Sequence, residues 1–273
     1  MFINMGLELL KKVWHNLSYE RWVSMAPRTT LLRKEIIRKN NFLRQVYEEW
    51  YSYIVGVLPS GKEPVLELGS GAGYLEEFIP GLITSEVSYI QGVSVVLDGQ
   101  TLPFSDNSLR AIVATNVLHH LPRVDQFFSE AARCVTIAGA LIVVEPWHTT
   151  WSRFVYSRLH HEPFDPEALE WGFHSSGSLS GANGALPWIL FSRDRDKFER
   201  EFPQWRIKSI KLIMPFRYLL SGGISYRPFM PGFTFGLWRW IEYLMSRWMN
   251  SWAMFAQIVL IRQIPKTKFL ITE

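Results

Sequence analysis

The feature that most constrains the fold is a glycine-rich turn that directly follows a short apolar run. Residues 64–78 read PVLELGSGAGYLEEF, with Glu67 placed before Gly69, Gly71 and Gly73. Alternate glycines favour neither a strand nor a helix, so they indicate a turn that something must approach closely. A strand, a glycine-rich turn and a helix in this order bind a nucleotide at the carboxyl end of a parallel sheet. The motif therefore predicts an α/β fold with a nucleotide site at that edge.

Strand-length apolar runs continue after this turn. They read VLEL, GLITSEV, VSVVLD, RAIVATNV and GALIVVE, and the helical pattern VDQFFSEAARCV lies between the last two. Strands that alternate with helices indicate a parallel sheet covered by helices on both faces. We therefore place a cofactor-binding α/β core at residues 61–147.

The remaining sequence divides into three segments around this core. Residues 1–60 show apolar residues at helical spacing and are interpreted as an N-terminal helical cap. Residues 148–202 are rich in Trp, Gly and Pro and are interpreted as a second cap or insert. Residues 203–273 contain two strand patterns, WRIKSIKLIMPF and FAQIVLIRQI, which we expect to complete the sheet as an antiparallel hairpin. An aromatic insert at 216–252 separates these two strands.

The glycine spacing distinguishes between two classes of nucleotide. A dinucleotide-binding turn has a third glycine where the helix meets the strand, and Tyr74 stands at that position here. The acidic Glu67 would repel a pyrophosphate but could hold an ammonium group. We therefore expect a ligand that carries a cation.

The segment ELGSGAG resembles motif I of the class I S-adenosylmethionine-dependent methyltransferases, and the resemblance extends over about residues 60–147. Within that class the chain is similar to the type 11 methyltransferases. The resemblance implies a Rossmann-like class I methyltransferase sheet with helices on both faces, to which helical and aromatic cap segments are added. It also implies S-adenosyl-L-methionine as the cofactor. The implied cofactor-binding residues are Glu67, Gly69, Ser70, Gly71, Gly73, Glu86, Asp98, Gly99 and Asn116.

The resemblance gives some of these residues distinct roles. Glu86 stands 17 residues after Gly69 and would accept the ribose hydroxyls, and Asp98 would meet the adenine amino group. The turn TNVLHHLP would close on the methionine end. The sequence departs from the family pattern in two places, since the connection from Glu86 to Val93 has no room for a helix and the helix after the glycine turn is short. The role of Glu86 therefore depends on where the shortened connection leaves its carboxylate.

Histidines are the candidate catalytic residues. Methyl transfer from a sulfonium is an in-line displacement, so positioning and exclusion of water matter more than acid–base groups. A hydroxyl acceptor would still gain from a general base near neutral pKa. We predict His120, in the turn near the methyl donor, and His148, after the fifth strand, as candidates. The alternative is that His119 and His120 only begin a helix and are satisfied by backbone groups.

A second group of polar residues resembles a metal site. The run LHHEPFDP contains His160, His161, Glu162 and Asp165. Adjacent histidines on a helix point in different directions, so these residues would not converge on one ion. We therefore predict no metal.

The aromatic residues bear on the acceptor. They make up 15% of the chain, and many of the 12 tryptophans follow residue 146. Such residues indicate a bulky core, an apolar acceptor pocket, or a surface that rests in the membrane interface. We predict a small-molecule or lipid-like acceptor that is methylated at oxygen or carbon. DNA is disfavoured, because no Asn-Pro-Pro-aromatic stretch follows the fourth strand and Cys134 is misplaced for cytosine chemistry.

We further expect segments 1–60, 148–202 and 216–252 to fold over the carboxyl ends of the strands as one lid. Their aromatic residues would line an apolar cleft that opens beside His120 and Trp147. The rival arrangement is a lid packed solid by its own tryptophans, which would leave a narrow polar entrance.

Charge and cysteine content bear on location. Residues 1–60 hold nine Lys and Arg against five Asp and Glu, an excess equal to the net charge of +4 for the whole chain. This pattern indicates either a solvated helical face or a basic surface that meets anionic lipid. One cysteine and no signal-peptide pattern predict a cytoplasmic protein that could lie at the membrane periphery. The late apolar region contains Arg239, Glu242 and Arg247 and so falls short of a membrane-spanning helix.

Three alternative functions stay open at the level of the sequence. They are aminopropyl transfer, a dinucleotide-dependent oxidoreductase, and a non-catalytic S-adenosylmethionine-binding protein of the same fold. Tyr74 disfavours the oxidoreductase, and no second motif marks a polyamine site. Glu67 and Asp98 support an intact cofactor site but do not establish turnover. Nothing in the sequence indicates an oligomeric state.

Overall fold

One seven-stranded sheet forms the frame of the protein, with the strands in the spatial order β3-β2-β1-β4-β5-β7-β6. The structure, a computed structural model, describes residues 27–160, 162–173 and 181–265. The strands are β1 (Val65–Leu68), β2 (Ile83–Glu86), β3 (Val95–Val96), β4 (Leu109–Thr115), β5 (Val135–Pro146), β6 (Trp205–Ile213) and β7 (Phe255–Arg262).

Strands β1 to β5 pair in parallel, and β7 lies antiparallel between β5 and β6. The central strands β1, β4 and β5 are buried over most of their length, as expected of strands covered on both faces. The predicted fold class and the predicted antiparallel hairpin of the last two strands are both confirmed.

The described helices surround this sheet. They are α1 (Pro27–Lys39), α2 (Asn41–Val55), α3 (Val124–Cys134), α4 (Thr150–Leu159), α5 (Leu186–Trp188), α6 (Arg195–Glu201), α7 (Arg217–Leu220), α8 (Phe235–Leu244) and α9 (Met249–Trp252). A π-helical stretch, Ile189–Arg193, continues α5, and single 3-10 turns occur at Leu75–Glu77, Leu118–His120, Gly232–Thr234 and Ser246–Trp248.

Alternate strand residues face two separate cores. Ile112 packs with α3 on one face of the sheet, and the next residue along, Val113, packs with α2 on the other. The start of α2 is fixed by Asn40, whose side-chain oxygen accepts hydrogen bonds from the amides of Phe42 and Leu43, each 3.1 Å long. The helix therefore lies against the sheet itself. The predicted segment boundaries stay a prediction.

Both predicted departures from the family pattern are confirmed. The glycine turn is followed only by the 3-10 turn Leu75–Glu77, and no helix occupies residues 87–94, between β2 and β3. Among the described helices, none has the length and apolar character required to span a bilayer.

A buried ion-pair cluster fixes the aromatic insert to the first helices. The Arg217 guanidinium donates to both carboxylate oxygens of Glu49, at 2.7 and 2.8 Å, and its Nε donates to Glu242 at 2.6 Å. All three residues are buried. The cluster therefore joins α2, α7 and α8 into one unit beside the sheet.

Candidate functional site

A cavity of about 460 Å³ opens at the carboxyl ends of the parallel strands. This volume lies within the range of about 300–1,000 Å³ that is usual for small-molecule sites. The predicted site residues that line it are Glu67, Gly69, Ser70, Gly71, Gly73, Glu86, Asp98, Gly99, Asn116 and His120. The fold therefore brings every predicted cofactor-binding position to one place.

The three glycines of the turn are required for different reasons. A β-carbon on Gly69 would lie 2.7 Å from Val117, and one on Gly73 would lie 2.6 Å from the hydroxyl of Tyr51. Gly71 has a φ of +52°, and its nearest neighbour would be the Glu86 carboxylate at 3.5 Å. Packing within the protein thus explains two glycines. At Gly71 the added carbon would make only ordinary contacts, so packing does not by itself require a glycine there.

Among the described residues, none forms an ion pair with the Glu67 carboxylate. The residue is 3% exposed, and its Oε2 has no hydrogen-bond partner among the described residues. Burial raises the pKa of Glu67 to about 7, and the negative charges of Glu76 and Glu86 add to this rise, whereas a hydrogen bond from Ser70 opposes it. A buried carboxylate that has a raised pKa and one oxygen without a hydrogen-bond partner among the described residues is suited to a cationic ligand.

Glu86 and Ser70 hold the glycine turn against β2. The Glu86 carboxylate accepts a hydrogen bond from the Gly71 amide at 2.5 Å, and the Ser70 hydroxyl accepts one from the Ser85 amide at 3.1 Å. Burial raises the pKa of Glu86, although hydrogen bonds from the Gly71 and Val87 amides oppose the rise. The shortened connection therefore leaves this carboxylate beside the turn.

Asp98, Gly99 and Asn116 complete the cofactor end of the cavity. The Asp98 carboxylate is exposed and accepts a hydrogen bond from the Gln100 amide at 2.9 Å. Gly99 packs closely, since a β-carbon there would lie 3.0 Å from Leu68. Asn116 has a φ of +57°, a left-handed conformation that asparagine tolerates well, and it follows β4 directly at the cavity.

Beside the cavity wall formed by His119 and His120, a buried carboxylate holds a histidine. Glu145, at the end of β5, accepts hydrogen bonds from the Val117 and Leu118 amides at 2.8 and 2.7 Å. Its second oxygen lies 2.6 Å from Nδ1 of His119. Sequence reasoning did not identify Glu145, although an acidic residue at the carboxyl end of an apolar strand was the same signal that singled out Glu67.

Glu162 approaches the same histidines from the segment after α4. Its carboxylate oxygens lie 3.5 Å from Nε2 of His119 and 3.8 Å from Nε2 of His120. Burial alone would lower the pKa of His119, but the charge and hydrogen bond of Glu145, together with Glu162, raise it to about 9. Burial raises the pKa of Glu162, yet the hydrogen bond and charge of His119 outweigh it and hold that pKa well below its usual range.

The structure separates the two histidines predicted to be catalytic. His120 lines the cavity, and burial followed by the charge of His119 lowers its pKa, so it is neutral near pH 7. His148 is not part of the cavity lining, and its ring lies 4.4 Å from the ring of Trp188. The start of α4 explains this position, because Thr149 and Ser152 cap the helix reciprocally and turn the chain away. Trp147 does not line the cavity either.

The remaining wall comes from the three segments predicted to form the lid. Tyr47 and Tyr51 come from α2, Tyr156 from α4, and Tyr218 from α7. Phe255, at the start of β7, packs against Tyr218 with ring centroids 4.9 Å apart. The cavity thus has one polar end beside the glycine turn and a wall of aromatic residues.

The parallel strands, the glycine turn and the cavity at their carboxyl ends together define a nucleotide-binding α/β enzyme core. Residues 66–143 of that core match the family model described as a methyltransferase domain. This match agrees with the predicted resemblance to the class I S-adenosylmethionine-dependent methyltransferases over residues 66–143. A search of curated protein sequences finds no relative that matches the chain.

Solved structures of the same fold include two methyltransferases. One is geranyl diphosphate C-methyltransferase from Streptomyces coelicolor A3(2), solved with Mg²⁺, geranyl diphosphate and S-adenosyl-L-homocysteine. Its TM-score is 0.53 and its sequence identity is 11%, and the alignment covers 84% of this chain and 82% of that chain. The other is Haemonchus contortus phosphoethanolamine N-methyltransferase 2, solved with S-adenosyl-L-methionine. Its TM-score is 0.50 and its sequence identity is 12%, and the alignment covers 89% of this chain and 59% of that chain. At these identities the likeness shows the fold alone.

Proposed function

We propose that the protein transfers a methyl group from S-adenosyl-L-methionine to a small-molecule or lipid-like acceptor, at oxygen or carbon. The observation that carries this proposal is the composite cavity. One end holds the glycine turn and Glu67, and the wall contains aromatic side chains from three separate segments of the chain.

The residues at the cofactor end fit S-adenosylmethionine in charge and in shape. Oε2 of Glu67 is buried and lacks a hydrogen-bond partner among the described residues, which suits the ammonium group of the methionine portion. Gly71 lines the cavity, and packing within the protein does not by itself require a glycine there. Glu86 and Asp98 place two further carboxylates at strand ends, where they would meet the ribose and the adenine.

When bound, the cofactor supplies a methyl group on a positively charged sulfur. The protein has to hold an acceptor atom in line with that methyl carbon, at about 3–3.5 Å, and to exclude water. The aromatic residues Tyr51, Tyr156 and Tyr218 would exclude water from the transfer. Neutral His120 would accept a proton if the acceptor is a hydroxyl. Because His148 lies outside the cavity, it is the weaker of the two predicted catalytic candidates.

An exposed surface supports a lipid-like acceptor and contact with a membrane. We define the exposed aromatic face as Phe233, Leu237, Trp240, Leu244 and Trp248, each at least 53% exposed. The three- and four-residue spacings place these side chains on one side of α8 and its flanking turns. Arg247 and Arg239 stand among them, although the Nε of Arg239 lies 3.4 Å from the Glu49 carboxylate, and Glu242 is buried against Arg217. An apolar face flanked by cations fits an anionic lipid surface. A cytoplasmic location at such a surface stays a prediction.

Calorimetry followed by a product screen tests the proposal. S-adenosylmethionine and S-adenosylhomocysteine should bind, and NAD should bind at least about tenfold more weakly, because a pyrophosphate would meet Glu67. Equal affinity for NAD would favour an oxidoreductase. A radiolabelled methyl-transfer screen on extracted lipids and small metabolites should then yield a methylated product. Cofactor binding without any product would favour the non-catalytic alternative.

A further inference from the structure

On the basis of this proposed function, we propose that His120 and Glu162 form a proton-accepting site for a hydroxyl acceptor, with His119 and Glu145 as the positioning residues behind it. The proposal narrows the acceptor to a hydroxyl compound. It also assigns a role to Glu162. This residue follows α4, far from His120 in sequence, and the sequence pattern suggested for it only the role of a metal ligand.

The geometry begins with the fixed carboxylate of Glu145. Two backbone amides and Nδ1 of His119 use both oxygens of this carboxylate, so its orientation is set. Because Nδ1 of His119 faces Glu145, Nε2 faces Glu162 at 3.5 Å. His119 and Glu145 are both almost fully buried, at 2% and 0% exposure. A histidine held on both sides in this way positions the Glu162 carboxylate at the cavity wall.

The surroundings of His120 select one tautomer. Its Nδ1 lies 3.4 Å from the Gly181 carbonyl, which can only accept a hydrogen bond, so Nδ1 carries the proton. Nε2 is therefore the unprotonated nitrogen, and it faces Glu162 Oε1 at 3.8 Å. That distance is too long for a hydrogen bond in the resting state. After protonation, the imidazolium of His120 would be stabilised by the nearby carboxylate.

The transfer step balances with groups already named. The acceptor O–H bond breaks and its proton passes to Nε2 of His120. The oxygen forms a bond to the methyl carbon as the bond between that carbon and the sulfonium sulfur breaks. The sulfur leaves as a neutral thioether with the bonding electron pair. The proton then passes from His120 to solvent.

Several titratable groups face this pair from the neighbouring elements. They are His119, Glu145, Tyr156, His160 and Tyr218. The imidazolium of His119 and the two carboxylates on either side of it leave one negative charge at this wall of the cavity. Burial and the charge of His119 lower the pKa of His120, so its ring is neutral before the transfer, and the Glu162 carboxylate stabilises the imidazolium once the proton has arrived.

A divalent cation is the rival occupant of this cluster. Potential ligand atoms of His119, His120 and Glu162 lie within 4.8 Å of one another. The rings of the two histidines are tilted against each other, with centroids 4.2 Å apart and an interplanar angle of 37°. Proton transfer uses this arrangement as it stands, whereas an ion would require the ring nitrogens to turn toward a common point.

A matched set of acceptors tests the proposal on the whole 273-residue chain. Decanol, decylamine and decanoate share one chain length and differ only in the nucleophile. Methylation of decanol is expected; methylation of only the amine or the carboxylate, or of none of the three while S-adenosylhomocysteine still binds, would overturn the proposal. Absence of S-adenosylhomocysteine binding would instead overturn the proposed function. Activity that is lost on dialysis against EDTA and restored by Zn²⁺ or Mg²⁺ would show a metal site.

Variants test the individual roles. His120→Ala should lower kcat for decanol about 10²–10⁴-fold, the usual range for loss of a general base, and added imidazole should restore part of the rate. Glu162→Gln should lower kcat at least tenfold, and Glu162→Asp should retain part of the activity. Calorimetry with S-adenosylhomocysteine should give unchanged affinity for all three variants. Glu170→Gln, at an exposed position in the same segment, is the control. Full activity of Glu162→Gln would overturn the proposal.

Discussion

Protonation of Glu67 should control cofactor affinity. Its pKa of about 7 means that the buried carboxyl is largely protonated in the free protein below neutral pH. A cationic ligand group beside Oε2 would return the pKa to its ordinary range and release a proton. From these values, the dissociation constant for S-adenosylhomocysteine should rise about tenfold between pH 8 and pH 6.

The same shift predicts how stability depends on pH. Because the folded-state pKa is raised above the ordinary value of 4.5, the folded protein favours the protonated form. Stability from Glu67 is therefore present at low pH and is lost as pH rises from about 4.5 through about 7. The difference between these two values corresponds to about 3 kcal/mol above pH 7. Glu67→Gln should remove this penalty, so the unliganded variant should exceed the wild type in urea stability at pH 8 but not at pH 4.

The assay is calorimetry in two buffers with different ionisation enthalpies. Near pH 6, binding of S-adenosylhomocysteine should release close to one proton, and near pH 8 almost none. Glu67→Gln should abolish the release and should bind more weakly at pH 8, because the ammonium group loses its carboxylate. Equal affinity at both pH values, with no net proton release in either buffer, would refute the reasoning. Such a result would mean that Glu67 is already ionised in the free protein.

Four further predictions follow from named contacts. Gly71→Ala should destabilise the fold by about 1–2 kcal/mol, because of its positive φ, and should abolish cofactor binding in calorimetry. Gly81→Ala, also at positive φ but with nothing within 4 Å of the added carbon, should carry the same stability cost and leave binding intact. Asp98→Ala should weaken cofactor binding by about 1–3 kcal/mol while the melting temperature stays the same; unchanged affinity would contradict its role. Arg217→Met should lower the free energy of unfolding by about 3–5 kcal/mol in urea melts, because buried Glu242 loses its cation and buried Glu49 is left to the largely exposed Arg239, 3.4 Å away; a smaller loss would contradict the ion-pair argument. Trp240→Ser should reduce sedimentation with phosphatidylserine vesicles without lowering the melting temperature, whereas an oligomer that dissociates in this variant would show that a second copy covers the face.

The sheet and the cofactor end of the cavity were predictable because their signals are local. Strands buried on both faces appear as continuous apolar runs, and each of the five apolar runs of the predicted core overlaps a strand. The glycine turn, Glu67 and the strand ends lie close together in sequence. Parallel strands bring their carboxyl ends to one edge, so the order of motifs alone placed these residues together.

The histidine cluster and the Arg217 ion-pair cluster could not be predicted in the same way. Glu162 reaches His119 only because α4 returns the chain to the end of β4, and its angle depends on the capping of that helix. The Arg217 cluster joins residues from three helices across more than 160 positions of sequence. Glu242 interrupts an apolar run, and this charge indicated that the run does not span a membrane. The burial of Glu242 against Arg217, however, depends on tertiary packing alone.

Glu67 and Glu145 show why position in the sequence does not by itself assign a role. Each is a buried carboxylate near the carboxyl end of an apolar strand, and each is at most 3% exposed. Glu145 uses both oxygens on two amides and a histidine, so it has no capacity left for a ligand. Glu67 keeps one oxygen without a partner among the described residues, at the wall of the cavity. A buried acceptor of this kind is costly unless a donor arrives. The partners of the two carboxylates, rather than their sequence context, therefore separate a residue that orients a histidine from one that binds a cation.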